Sequence, residues 1–219
     1  MPKAVRTLAA VAAMLVAGQG CKNKVDPPGG EAAASSGLGA PPSTALPEPL
    51  PGERVEVPAG TFKAGSLPGE AGRRPDVEQR RTDVQLGPFR IDRLPYPDDP
   101  KLPSRTGVTR DEAEHLCEER ESRLCTELEW ERVCRGTDAR LFPSGGTWNA
   151  ACGKGPLGCA SGFDVLAMGT LREWTSSDVG VESGARKASV RGAPGSASAE
   201  LHRCAARAGE RPDAKSDDL

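Results

Sequence analysis

Arg123-Leu-Cys-Thr-Glu-Leu-Glu-Trp-Glu-Arg-Val-Cys-Arg-Gly136 is the stretch from which the fold is read. Thr126 and Glu129 are spaced as a capping box: the Thr hydroxyl accepts from the N3 amide and the Glu carboxylate reaches back to the cap amide. A short helix is predicted to start there. Leu128, Trp130, Val133 and Cys134 supply its apolar contacts, and Glu127, Glu131, Arg132 and Arg135 are expected to stay solvated. A second box, Thr109-Arg-Asp-Glu112, predicts an earlier helix running to about Glu121.

Working outward, Val55 to Gly65 is predicted as short extended segments broken by a Pro-Ala-Gly turn, and Val84 to Asp92 as another strand. A charged loop separates them. Beyond Arg140 the chain is Gly-rich, with short apolar pieces at Phe163 to Met168 and Ala188 to Val190. This mix implies an α+β domain over residues 55–219 with much irregular backbone.

A chain of 219 residues with 20 Pro and 26 Gly is too rich in both to pack uniformly, so part of it is linker. The formal charge of -2, with both signs interspersed, offers no basic stripe, and nucleic acid is excluded as a partner. Only two His and one Tyr are present, which removes many catalytic arrangements.

The first 21 residues carry the pattern of an export signal: Lys3 and Arg6 form a basic start, and Leu8 to Ala17 an apolar run too short to span a bilayer permanently. Cys21, directly after small residues, is the candidate for lipidation. This predicts a bacterial lipoprotein held to a membrane by acyl chains. Gly18-Gln19-Gly20 lacks the usual aliphatic residue three before the cysteine, so an ordinary secretory peptide is the alternative. Lys22 matches lipoproteins passed to an outer membrane, and the expected location is that membrane or the periplasm. Residues 22–54, mainly Pro, Gly, Ala and Ser, cannot bury enough apolar surface to order themselves and are predicted to be a tether.

The series Val57-Pro-Ala-Gly-Thr-Phe-Lys-Ala-Gly-Ser66, Phe89-Arg-Ile-Asp92, Arg123 to Trp130, Arg135-Gly136, Arg172-Glu-Trp-Thr175 and Arg203-Cys-Ala-Ala-Arg207 resembles, in order and spacing, the formylglycine-generating enzyme (sulfatase-modifying factor) family. The resemblance covers residues 55–219. It implies a C-type-lectin-like α+β fold, stiffened by disulfides, with both helices packed on a small twisted sheet.

Six cysteines remain after Cys21, and an exported domain oxidises its thiols. The resemblance places Cys134 against Cys204, closing a loop of about 70 residues, for roughly 4 kcal/mol in the chain-entropy view. Cys152 and Cys159 are the natural local pair. Zinc is disfavoured, because neither lies in a Cys-x-x-Cys pair and oxidation competes. Cys117 matches a family cysteine whose partner lies in a closing Leu-Gly-Phe-Arg-Cys segment, of which this chain has only the first residue, Leu219, so a C-terminal truncation is expected. Cys125 stands where the family usually has Pro. The two either pair with each other or have lost their partners.

The enzyme's chemistry needs two copper(I)-binding cysteines shortly before the Arg-Cys-Ala-Ala-Arg block, and the interval from Arg191 to Arg203 has none. Ser196 and Ser198 are hard oxygen donors that do not replace thiolates. Copper is therefore not expected. Iron, used by a related oxidative branch, would have only His115 and His202, which are expected to be a solvated helix residue and a packing residue. Calcium ligands are depleted, with Leu166 and Thr170 standing where the family has oxygen donors. Asn149, Asp164 and Glu173 are weak candidates, the first otherwise a turn cap and the last otherwise a partner of Arg172. Ser176-Ser177-Asp178 lacks a nucleophile elbow and is expected in a surface turn, and Gly145-Gly146 lacks a phosphate-loop context. The expectation is an exported, lipid-anchored, non-catalytic module of this family that binds protein, peptide or glycan. A metal-dependent oxidase is the alternative.

Overall fold

The computed structural model describes residues 47–154, 159–182 and 184–219. The lipidation candidate Cys21, the export signal and the tether up to residue 46 lie outside them. Residues 47–53, assigned to the tether by composition, are already held on the domain. Arg93 Nη2 donates to Pro47 O at 3.1 Å and Nη1 to Glu53 Oε2 at 2.9 Å. No helix among the described residues is long and apolar enough to cross a membrane.

Four short strands come first: β1 (Arg54–Val57), β2 (Gly60–Ala64), β3 (Thr82–Leu86) and β4 (Phe89–Asp92). They nest as one antiparallel ribbon cut in two, β2 on β3 and β1 on β4, with Gly60 opposite Leu86 and Val57 opposite Phe89. The cut falls where Pro58-Ala59 on one side faces Gly87-Pro88 on the other. Proline has no N–H to give a ladder, so a proline on each side at the same level ends the pairing. The single strand expected over Val84 to Asp92 is divided for this reason.

Both capping boxes form, opening α1 (Arg110–Glu118) at Thr109 and α2 (Glu127–Arg135) at Thr126. Glu121, expected to end the first helix, lies beyond it at φ 53°, and the Ser122 amide closes the turn onto Cys117 O at 3.0 Å. Three strands complete the domain as an antiparallel sheet ordered β5-β6-β7: β5 (Glu173–Glu182), β6 (Ala185–Arg191) and β7 (Ala208–Glu210). α2 packs on β2, β5 and β6, and α1 on β5. The fold is α+β with two disulfides. Cys134 joins Cys204 across a sequence separation of 70, both sulfurs inside a hydrophobic cluster, and Cys152 joins Cys159.

The exit of α2 is fixed by glycine. Gly136 has φ 62°, and a Cβ there would come within 2.6 Å of Gly162 Cα, so two backbones touch where a side chain has no room.

The charged face of α2 is not solvated. Glu127, Glu131, Arg132 and Arg135 are all buried, contrary to the amphipathic expectation. Partners remote in sequence account for it. Glu131 Oε1 accepts from the Gly65 amide at 2.7 Å and Arg135 Nε at 2.9 Å, and its Oε2 from Arg191 Nη2 at 3.2 Å. Glu127 Oε2 takes Ser189 Oγ at 2.8 Å and Arg207 Nη2 at 2.9 Å. Arg135 Nη2 donates to Gly65 O at 2.6 Å. Arg132 Nη2 donates to Pro58 O at 2.7 Å, its guanidinium resting 5.8 Å from the Phe163 ring centre. Buried charge is tolerated only with such pairing, and removing one partner leaves the others desolvated and uncompensated.

Arg191→Met is therefore expected to lower unfolding free energy by about 3–5 kcal/mol, and Arg123→Met, where the arginine is exposed although Glu129 is not, by about 1 kcal/mol. Urea unfolding followed by tryptophan fluorescence measures both. Equal losses at the two sites would show that the buried network contributes nothing special.

Candidate functional site

The apolar interior is in two pieces. One cluster gathers Val57, Trp130, Val133, Met168 and the Cys134–Cys204 sulfurs, with Phe89 and Ile91 against it. The other gathers Val108, Leu124, Trp174, Val190 and Leu219, with Leu116 and Cys117 against it. A cavity of about 450 Å³ lies between them, walled by Trp130, Val165 and Met168 from the first and Val108, Leu116 and Trp174 from the second. Exposed Arg105 and Arg123 line it as well, so it reaches solvent. That size and lining are those of a small-ligand site.

Glu173, the first residue of β5, is one of its walls. Its neighbour Trp174 turns into the second cluster and donates Nε1 to Val108 O at 3.0 Å. Arg172, proposed from sequence as the partner of Glu173, points elsewhere: its Nε and Nη1 pair with Asp218 at 2.9 Å and Glu210 at 3.1 Å. No cation among the described residues pairs with Glu173. Burial pushes its carboxyl up from 4.5 to about 7, opposed in part by the Trp130 indole and the Gly169 amide. Trp130 Nε1 itself meets no acceptor at full hydrogen-bonding geometry.

Cys117 and Cys125, left with open pairing by the sequence, are both free thiols and both line the cavity. Burial pushes Cys125 up to about 12, with Glu129 and Glu173 adding and Arg123 opposing. Cys117 is raised too, mainly by burial and then by Asp92. Thiols so placed stay protonated near neutral pH and are poor nucleophiles.

The other candidates are dispersed. His115 is exposed on α1, 3.4 Å from Glu119 and 3.8 Å from Glu118. His202 is fully buried in a 3-10 turn (Ala199–His202), its Nδ1 2.7 Å from Gly169 O and its ring stacked on Trp148 at 3.8 Å between centres. Asn149 caps a second 3-10 turn, Oδ1 accepting from the Ala151 amide at 3.0 Å. Asp164 is an exposed turn residue at φ 60°. Among the described residues no group of three or more His, Cys, Asp and Glu is arranged to hold a metal ion. Ser176, Ser177 and Asp178 belong to β5 rather than a surface turn: Ser177 Oγ accepts from the Glu127 amide at 3.1 Å, and Asp178 pairs with Arg110 at 3.0 Å. Ser176 Oγ donates to Cys125 O at 3.3 Å.

No protein-family model matches the chain, and no curated protein matches it. Among solved structures, that of PvdO from Pseudomonas aeruginosa matches with a TM-score of 0.59 at 19% identity, over 77% of this chain and 95% of PvdO. At that identity the likeness concerns the fold alone.

Glu173 makes stability depend on pH. The unfolded chain releases this proton near 4.5, whereas the folded chain keeps it to about 7, so stability falls as pH rises through that window. Glu173→Gln removes the penalty: no change is expected below about pH 4.5 and a gain of roughly 2–3 kcal/mol above about pH 7.5. Urea melts across the range check this, and a gain independent of pH would refute it. For the thiols, iodoacetamide at about pH 8 is expected to label Cys117 and Cys125 about a hundredfold more slowly in the folded than in the guanidinium-unfolded chain. Peptide mapping by mass spectrometry reads the two sites, and comparable rates would contradict their burial.

Proposed function

We propose that this chain is a divergent relative of the formylglycine-generating enzyme family, with its C-type-lectin-like scaffold, serving as an exported, lipid-anchored and non-catalytic binding module. The observation that carries the binding role is the cavity between the two clusters, apolar on both sides and open to solvent. The ordered motif series and the fold-level likeness to PvdO support the scaffold. A peptide or protein that inserts an apolar side chain suits the cavity.

The residues present do not fit the family's copper. The interval from Arg191 to Arg203 offers no thiolate, and four of the remaining cysteines are consumed in disulfides. One observation favours the oxidase alternative: Cys117 and Cys125 are soft, unpaired donors at one cavity. Their raised pKa values oppose it, since a metal would have to displace both protons.

Saturable binding of the neutral dye N-phenyl-1-naphthylamine to the full chain, followed by its fluorescence, tests the binding role. One dye per chain is expected, and Ala113→Phe, which adds a ring to the cavity wall, should abolish binding with the fold intact by circular dichroism. Dye binding insensitive to that substitution would refute the cavity as the site. Oxygen uptake with copper and a Cys-x-Pro-x-Arg peptide above a metal-only blank would refute the non-catalytic role.

A further inference from the structure

We infer that the cavity receives a primary ammonium group on an apolar stem, of the kind a lysine side chain presents, with the Glu173 carboxylate as its counter-ion. This rests on the cavity being a binding site, as proposed above.

Four carboxylates line the cavity, and three are accounted for. Asp92 is held by Arg54 at 3.2 Å and Arg120 at 2.7 Å, Glu129 is held by Arg123 at 2.6 Å, and Glu121 is exposed. Glu173, half-buried in the cavity wall, is the one with no cation beside it. A carboxylate so placed is either neutral or awaiting a positive partner. The walls around it are the Trp130 and Trp174 indoles with Leu166 and Met168, which suit a methylene stem and favour a cation over ring faces. An ammonium beside Glu173 keeps it ionised, and an ionised Glu173 is a stronger acceptor for the orphaned Trp130 N–H.

The charges that face Glu173 on neighbouring elements do not reverse this preference. On β4, Asp92 carries its own arginines. Before α2, Arg123 is engaged by Glu129, and before β5, Arg172 is engaged by Asp218 and Glu210. Arg90 and Arg105 are exposed, where solvent and salt weaken their repulsion. The thiols Cys117 and Cys125 stay neutral near pH 7. An anionic ligand would meet Glu173 as a like charge, and a neutral one would leave it unmatched. Because the ammonium lowers the Glu173 pKa on binding, part of a proton is released per ligand near pH 7.

Hexylamine, 1-hexanol and hexanoate share one stem and differ in the head group. Their binding to the full chain is read by displacement of the naphthylamine dye and by calorimetry in two buffers of different ionisation enthalpy. Hexylamine is expected to bind at least about tenfold more tightly than 1-hexanol, hexanoate more weakly than either, with proton release for hexylamine only. Glu173→Gln should weaken hexylamine at least about tenfold while 1-hexanol stays within about threefold. Hexanol or hexanoate matching hexylamine, or equal effects of the substitution on amine and alcohol, would overturn the inference and leave the cavity as a binding site. Failure of the dye and of all three compounds would overturn both.

Discussion

Glu127 and Glu131 on α2, met by Arg191, Arg207, Arg135 and the Gly65 backbone, form the interaction on which the rest of the domain depends. Arg135 lies on the helix itself, whereas Gly65, Arg191 and Arg207 come from separate parts of the chain, so one helix ties the amino-terminal ribbon, the carboxy-terminal sheet and the segment after Cys204 to each other. The helix contributes Trp130, Val133 and Cys134 to the first apolar cluster. Its specificity comes from charge pairs that have no alternative partner once buried. The Cys134–Cys204 bridge then holds the same helix covalently, and by chain entropy it contributes about 4 kcal/mol on a loop of this length.

The domain does not collect its apolar side chains in one mass. They divide into two clusters, and the cavity is the space that this division leaves. Glu173 and Trp174 illustrate the partition. Both line the cavity, Glu173 beside Trp130 and Trp174 as part of the second cluster, which it anchors through Val108. The candidate site is thus a consequence of how the core is built.

Much of the fold was legible because its signals are local. Both capping boxes state a helix start within four residues, and the break at Pro58 was read from its Pro-Ala-Gly turn; the matching break at Pro88 was missed, because it is the facing register that gives it meaning. The Cys134–Cys204 and Cys152–Cys159 pairs follow the resemblance and the local spacing. The burial of the α2 charges was not legible, because no property of Glu131 within its own helix announces Gly65 or Arg191, which lie 66 and 60 positions away. The same holds for the site. Glu173 was visible as a weak metal candidate beside Arg172, yet its isolation depends on Arg172 turning to Asp218, 46 residues later. Cys117 and Cys125 carry no sequence signal that they share one cavity.

The gap in the ribbon at Pro58 has a consequence for the timing of assembly. The carbonyl it releases from strand pairing is taken by Arg132, 74 residues on, and the helix bearing Arg132 is completed only by Arg191 and Arg207. Contacts of such separation form late, since loop closure must precede any gain from them. The contact that completes the ribbon at Pro58 therefore depends on a helix held by residues much further along the chain. For a chain proposed to be exported, the arginines that complete this network would cross the membrane after the helix they hold.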